Sequence, residues 1–113
     1  MSNTQISKSP EINHLKKADI TVQMVKIKAS NGTTVLLPMH HFLGAEYKVN
    51  PETNEACLIL DFAMHSVRVL GQKLMPIIDA LQFWKAEMIQ PSNVDTQALS
   101  RISSIEVAHR TEH

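Results

Sequence analysis

The segment from residue 56 to residue 90 constrains the fold most, because it holds the longest apolar runs and the only tryptophan of the chain. Apolar residues recur at every second position of residues 56–62, and again at Val67 and Val69, which is the period of strands with one buried face. So short a separation between two strands predicts an antiparallel hairpin. Ala63-Met64 lacks the residues that a two-residue turn prefers, so we predict a wider loop or a bulge over residues 61–65.

Beyond Gly71, apolar residues repeat at intervals of three and four, which predicts one amphipathic helix near residues 72–90 that packs across the sheet. The stripe consists of Leu74, Ile77, Ile78, Leu81, Trp84 and Met88. Pro76 falls in the first turn of this helix, where its missing N–H has no intrahelical partner to lose. Pro91 is expected to end the helix.

The region before residue 56 predicts three further strands. Residues 20–29 alternate, but the phase slips by one residue at Met24-Val25, which indicates a bulge or a bend. Residues 33–37 form the second strand, and residues 45–49 alternate as the third. Asn31-Gly32 accepts positive φ at both positions and predicts a two-residue turn between the first two.

The register of that turn predicts an exposed apolar surface. A two-residue loop places Ile27 opposite Leu36. Val35 and Leu37 then share the face of the neighbouring lysines, which makes these two residues the candidate interface. A second subunit, another layer or the tail are the alternatives for covering this face.

The predicted fold class is α+β: a small antiparallel meander sheet of about five strands, curled or barrel-like, packed by the helix and completed by a short C-terminal element. Residues 1–18 are predicted as a polar N-terminal arm or a short helix, residues 19–110 as a single domain, and residues 111–113 as a frayed tail. The pattern of residues 95–110 fits a helix, a strand or both, with Asp95 as a cap for a helix.

Composition excludes several classes of protein. The 113 residues carry eleven acidic and eleven basic side chains, so the chain has no overall attraction for nucleic acid or anionic lipid. Cys57 is the only cysteine, which excludes an intrachain disulfide. No apolar run approaches about 18 residues, and the start lacks an apolar signal core, so we predict a cytoplasmic protein without membrane contact.

Two sets of polar residues are candidates for chemistry. Asp61 and His65 flank the predicted hairpin loop, and a carboxylate that orients an imidazole is a common catalytic pair. His40 and His41, together with Glu46 and His65, are the candidate metal ligands. No sequence motif accompanies either set, and no cofactor is predicted, so a small enzyme or metal-binding protein is the third hypothesis for function.

Nucleic-acid binding is the second hypothesis. Lys26, Lys28 and Arg68 would form a basic stripe if their strands were neighbours. The order of elements, with Leu37-Pro38 and residues 67–81, is similar to LytTR-type DNA-binding domains, although Met88-Ile89-Gln90-Pro91 stands where that family has a basic signature. The chain equally resembles small pleckstrin-homology-like sheets closed by a helix, and no family is assigned.

The first hypothesis is a non-enzymatic binding or assembly module. Its predicted partner is another copy of the chain, in a homo-oligomer, or another protein. The apolar face left over by the predicted hairpin register supports this hypothesis, because such faces on small domains are commonly covered by another subunit.

Overall fold

The computed structural model describes residues 15–92 and 101–110. Within these residues the chain forms eight strands, one α-helix and a short 3-10 helix. The strands are β1 (Leu15–Lys17), β2 (Met24–Lys28), β3 (Thr34–Pro38), β4 (Phe42–Val49), β5 (Ala56–Phe62), β6 (His65–Gln72), β7 (Ala86–Ile89) and β8 (Arg101–His109). The helix α1 spans Met75–Gln82, and the 3-10 helix spans Met39–His41.

The strands form two four-stranded sheets, which confirms the predicted α+β class. Sheet A has the order β1-β7-β2-β3, and sheet B has the order β4-β5-β6-β8. All neighbours are antiparallel except β2 and β7, which are parallel. The predicted detail, a meander of about five strands that is curled or barrel-like, matches roughly: β2–β3 and β4–β5–β6 pair in sequence order, but the strands are divided between two sheets. Both sheets are open, and sheet A recruits strands from distant parts of the sequence.

The central hairpin is confirmed, but its predicted loop is wrong. β5 and β6 pair from Ala56–Gly71 to Asp61–Ser66, and only Ala63 and Met64 connect them. Neither connecting residue has a positive φ. Bonds from outside the hairpin hold this turn: the Ala63 N–H donates to the carbonyl of His41 at 2.9 Å, and the Arg110 N–H donates to the carbonyl of Met64 at 2.9 Å. Tertiary contacts therefore replace the turn residues that the sequence lacks.

The helix is shorter than the predicted 72–90. β6 continues through Gln72, and α1 ends at Gln82 because Trp84 adopts the left-handed conformation, with φ of 58°. The Trp84 N–H donates to the carbonyl of Leu81 at 3.0 Å, and the Lys85 N–H donates to that of Ala80 at 2.7 Å. These two bonds form a Schellman motif with tryptophan where glycine is usual. The chain then turns back instead of continuing the apolar stripe.

Residues 86–89 form a central strand of sheet A rather than the last turns of a helix. β7 pairs antiparallel with β1 and parallel with β2, with Ile27 opposite Ile89. Ala86 and Ile89 are fully buried. Strand pairing on both sides satisfies the backbone N–H and C=O groups of this segment. It also satisfies the facing groups of β1 and β2, which a helix at this position would leave unpaired.

The register of the first hairpin differs from the prediction by one residue. Ile27 lies opposite Val35 rather than Leu36, because the Ala29 N–H bonds to Thr33 and leaves a three-residue loop of residues 30–32. A shift of one residue exchanges the two faces of the strand. Leu37 is therefore in the core, at 2% exposure, and Val35 packs against the core. The predicted exposure of this pair is wrong for Leu37, and Leu36 is the exposed residue of this strand instead.

Other boundaries shift for related reasons. The phase slip at Met24-Val25 marks the start of β2 and not a bulge. Residues 15–17, predicted as part of the arm, form β1, with Leu15 in the core. Residues 101–109 form β8, whereas the alternative helix with Asp95 as its cap begins outside the described residues. Residues 1–14 and the predicted tail, 111–113, also lie outside the described residues.

One apolar core joins both sheets and α1. Sheet A contributes residues such as Val25, Ile27 and Ile89, and sheet B contributes Leu58, Leu60 and Phe62 among others. The buried side of α1 is Ile77, Ala80 and Leu81. The phenolic oxygen of Tyr47 accepts a hydrogen bond of 3.1 Å from the N–H of Leu74, which ties the start of α1 to β4. This bond positions the helix beside one edge of sheet B.

Candidate functional site

The predicted catalytic pair of Asp61 and His65 is not formed. Asp61 lies opposite Ser66 on the outer face of sheet B, where its carboxylate is 3.4 Å from the guanidinium of Arg110. His65 lies on the other face by the alternation of β6, and its ring packs 4.5 Å from that of His109. Burial, and secondarily the neighbouring His109, lower the pKa of His65. Two groups on opposite faces of a sheet cannot share one proton-transfer step.

The predicted metal site is also not assembled. His40 and His41 belong to the 3-10 helix, and their rings meet edge to face at 4.5 Å. Glu46 lies on β4 opposite Ile59, and His65 is occupied with His109. Within residues 15–92 and 101–110, no three side chains of the His, Cys, Asp and Glu types are grouped closely enough to hold a metal ion.

The predicted basic stripe is divided between the two sheets. Lys26 and Lys28 lie on β2 of sheet A, whereas Arg68 lies on β6 of sheet B. The Arg68 guanidinium is 3.2 Å from the carboxylate of Glu106, directly opposite on β8. The three basic residues therefore present no continuous positive surface, which removes the main structural argument for nucleic-acid binding.

A shallow apolar depression of about 380 Å³ lies between β4 and α1. We call it and its two flanking residues the β4–α1 surface. The lining consists of Phe42, Ala45, Ile78, Leu81, Gln82 and Trp84. The flanking residues are neighbours of the lining in the sequence: Leu43 follows Phe42, and Phe83 stands between Gln82 and Trp84. Their side chains are 65% and 62% exposed and do not line the depression. Exposed apolar side chains and apolar depressions are both features that favour a protein-binding surface.

Two local irregularities of the backbone lie at the flanking residues of the β4–α1 surface. The pairing of β4 and β5 skips a residue between Phe42 and Gly44, which makes Leu43 the extra residue of a bulge. The left-handed Trp84 ends α1 and leaves Phe83, the capping residue, outside the helical stripe. The sequence contained one signal of this, since Phe83 does not fit the apolar repeat of the predicted helix. The bulge at Leu43 had no equivalent signal.

β4 also presents a free sheet edge next to this surface. It is the terminal strand of sheet B, eight residues long. Within the described residues, no backbone hydrogen bond joins the outer side of β4 between Phe42 and Val49 to another segment. A long edge strand of this kind can accept an added strand from another chain.

No family model, curated protein or solved structure matches this chain. The resemblances to LytTR-type domains and to pleckstrin-homology-like sheets therefore have no support beyond the order of elements. Among the residues that the structure describes, no helix has both the length and the apolar character needed to cross a membrane.

Proposed function

We propose that the protein is a non-enzymatic assembly module that associates with itself through the β4–α1 surface. The observation that carries this proposal is the coincidence of two features at one place. A free strand edge supplies backbone hydrogen-bonding groups, and the adjoining depression supplies apolar contact area. Strand addition combines these same two contributions, with the backbone giving affinity and the side-chain pockets giving specificity.

The chemistry of the other candidate residues favours this function over an enzyme. Asp61 is paired with Arg110, and the ring of His65 packs at a tilt against that of His109, so neither side chain is directed at a shared reaction centre. The β4–α1 surface, in contrast, is lined chiefly by carbon atoms and holds one polar side chain, Gln82. Such a surface gains free energy by excluding water, at roughly 25 cal/mol for each Å² of apolar area buried.

The test is the mass of the protein in solution. Light scattering and sedimentation velocity on the wild-type chain should show a species of at least twice the monomer mass at micromolar concentrations. Phe83→Asp should shift this species toward the monomer, because it places a charge in the contact. Phe83 is exposed, so this substitution should leave the fold intact, which circular dichroism would verify.

Leu36→Asp is the matched control. Leu36 is an exposed apolar residue on β3, at 56% exposure, and belongs to the other sheet. The Leu36→Asp substitution should leave the mass of the species in solution unchanged. A wild-type protein that remains a monomer up to several hundred micromolar would contradict the proposed function, and dissociation by Leu36→Asp alone would move the interface to sheet A.

A further inference from the structure

We infer that the partner at this surface is a second copy in one defined register: β4 pairs antiparallel with β4 of the second copy around a two-fold axis at Tyr47. This inference rests on the proposed self-association and adds its geometry. The product is a single eight-stranded sheet across two subunits. The register follows from charge, apolar contact and the state of the other sheet edge.

Charge selects the register. In an antiparallel pair, residues directly opposite each other face the same side of the sheet, so a two-fold axis perpendicular to the sheet must pass through a residue position. An axis at Glu46 or at Lys48 would place that charge opposite its own copy. An axis at Tyr47 places Glu46 opposite the partner's Lys48, and does so twice. Both side chains are exposed on β4 and available for this pairing.

The same register fills the apolar depression. With the axis at Tyr47, Ala45 lies opposite the partner's Val49. Ala45 lines the depression between β4 and α1, and Val49 is 47% exposed in the single chain. Each subunit therefore places a half-exposed valine beside the other's depression. Directly opposed side chains have Cβ atoms about 4.5–5.5 Å apart, which brings the valine into contact range.

The other edge of sheet B makes the assembly finite. Ser30 and Ser92 hydrogen-bond to the outer backbone of β8 at Ile105 and Ile102. Pairing through β4 leaves β8 as the outer edge on both sides of the eight-stranded sheet. Two-fold pairing uses the same edge of both copies and therefore closes without propagating into a fibre, and each outer β8 edge is bonded at two of its residues.

Charge reversal tests the register. Glu46→Lys places two lysine pairs across the axis, and Lys48→Glu places two glutamate pairs there. Each single variant should weaken self-association at least about tenfold, since attraction becomes repulsion at two cross-strand pairs. An equimolar mixture of the two variants restores both opposite-charge pairs. The mixture should form a heterodimer with an affinity close to that of the wild-type homodimer.

The double variant E46K/K48E is a second measurement on one chain. It exchanges the two charges and keeps the complementarity, so it should self-associate like the wild type. Sedimentation equilibrium would measure the dissociation constants of the two single variants, their mixture and the double variant, with one variant of the mixture carrying a fluorescent label. Raising the salt concentration should reduce the differences between them.

The outcomes separate this inference from the proposed function. A wild-type dimer that Phe83→Asp dissociates, but that both charge reversals leave unchanged, would retain the β4–α1 surface and overturn the register. Single variants that dissociate without recovery in the mixture or in E46K/K48E would also overturn it. A monomeric wild-type protein would overturn both proposals.

Discussion

The two edge strands of sheet B, β8 and β4, are similar in length but differ in whether their outer backbone groups are hydrogen-bonded. β8, nine residues long, has its outer backbone bonded at two points: Ser92 and Ser30 each donate their own N–H to a β8 carbonyl and accept a β8 N–H through the side-chain oxygen. The distances lie between 2.7 and 2.9 Å. β4, eight residues long, has no comparable bond on its outer side among the described residues.

On the proposed pairing, this difference would direct assembly to the β4 edge of sheet B. A serine beside a strand satisfies one N–H and one C=O and so removes a template for pairing at little cost in sequence. The open edge instead carries Glu46 and Lys48, a pair of opposite charges two residues apart. Isolated charges protect an edge from random pairing, but this arrangement is complementary to its own copy in a single register.

Gly71→Ala should have the largest effect on stability, because it disrupts the pairing of β8 with β6. A Cβ at Gly71 would collide with the backbone carbonyl oxygen of Arg101, and backbone cannot move aside as a flexible side chain can. We expect destabilisation of about 3 kcal/mol, at the upper end of overpacking effects. Urea unfolding would measure it.

Gly44→Ala is the control on the open edge. A Cβ at Gly44 meets no atom within 4 Å, and its φ is not positive. Alanine is favoured over glycine in a strand, so this variant should be as stable as the wild type or more stable by up to about 1 kcal/mol. Equal stabilities for the two glycine variants would show that β8 does not approach Gly71 as described.

Ser30→Ala and Ser92→Ala should each have a smaller effect, of about 1 kcal/mol. Each removes the side-chain acceptor of one backbone N–H of β8, at Ile105 and at Ile102 respectively. Native-state hydrogen exchange should show faster exchange at the corresponding amide only. Ser66→Ala is the control, because Ser66 lies on β6 and its hydroxyl bonds to no group of the described residues. If the two amides exchange at the wild-type rate, the serines do not close this edge.

The smallest expected effect is a pH dependence of stability that comes from His65 and His109, at the end of the β6–β8 pairing. Burial and His109 lower the pKa of His65 in the folded chain, so the unfolded chain binds the proton more readily. The free energy of unfolding should therefore be highest above pH 6.5 and fall as the pH drops below this value and through the folded pKa. Urea unfolding at pH 7.5 and at pH 5.5 would measure the difference.

His65→Gln should reduce this loss of stability at low pH, because it removes the group whose pKa differs between the two states. His40→Gln is the control, since His40 is exposed and contacts His41 rather than the β6–β8 ladder. If the difference in free energy of unfolding between pH 7.5 and pH 5.5 is unchanged by His65→Gln, the pH dependence comes from other groups.

The candidate residues show where sequence reasoning succeeds and fails. Asp61 and His65 are close in sequence, yet strand alternation and the neighbouring β8 direct them to Arg110 and His109. Leu37 was predicted on the wrong face of its strand because an Asn-Gly pair predicts a two-residue turn. The backbone bond from Ala29 to Thr33 makes the loop one residue longer. Phe83 lies outside the apolar repeat, which was a signal of its exposure, whereas the bulge at Leu43 has no counterpart in the sequence pattern.

The sequence by itself determined the α+β class, the β5–β6 hairpin and the helix on the C-terminal side of β6, because local periodicity and sequence proximity suffice for these elements. The tertiary structure decided the rest. Residues 86–89 became a strand because β1 and β2 offer hydrogen-bonding partners on both sides, and the turn at Ala63-Met64 is held by bonds from His41 and Arg110. The contrast between the β8 and β4 edges arises in the same way, since the serines that bond to β8 come from other parts of the chain, as many as 75 residues away.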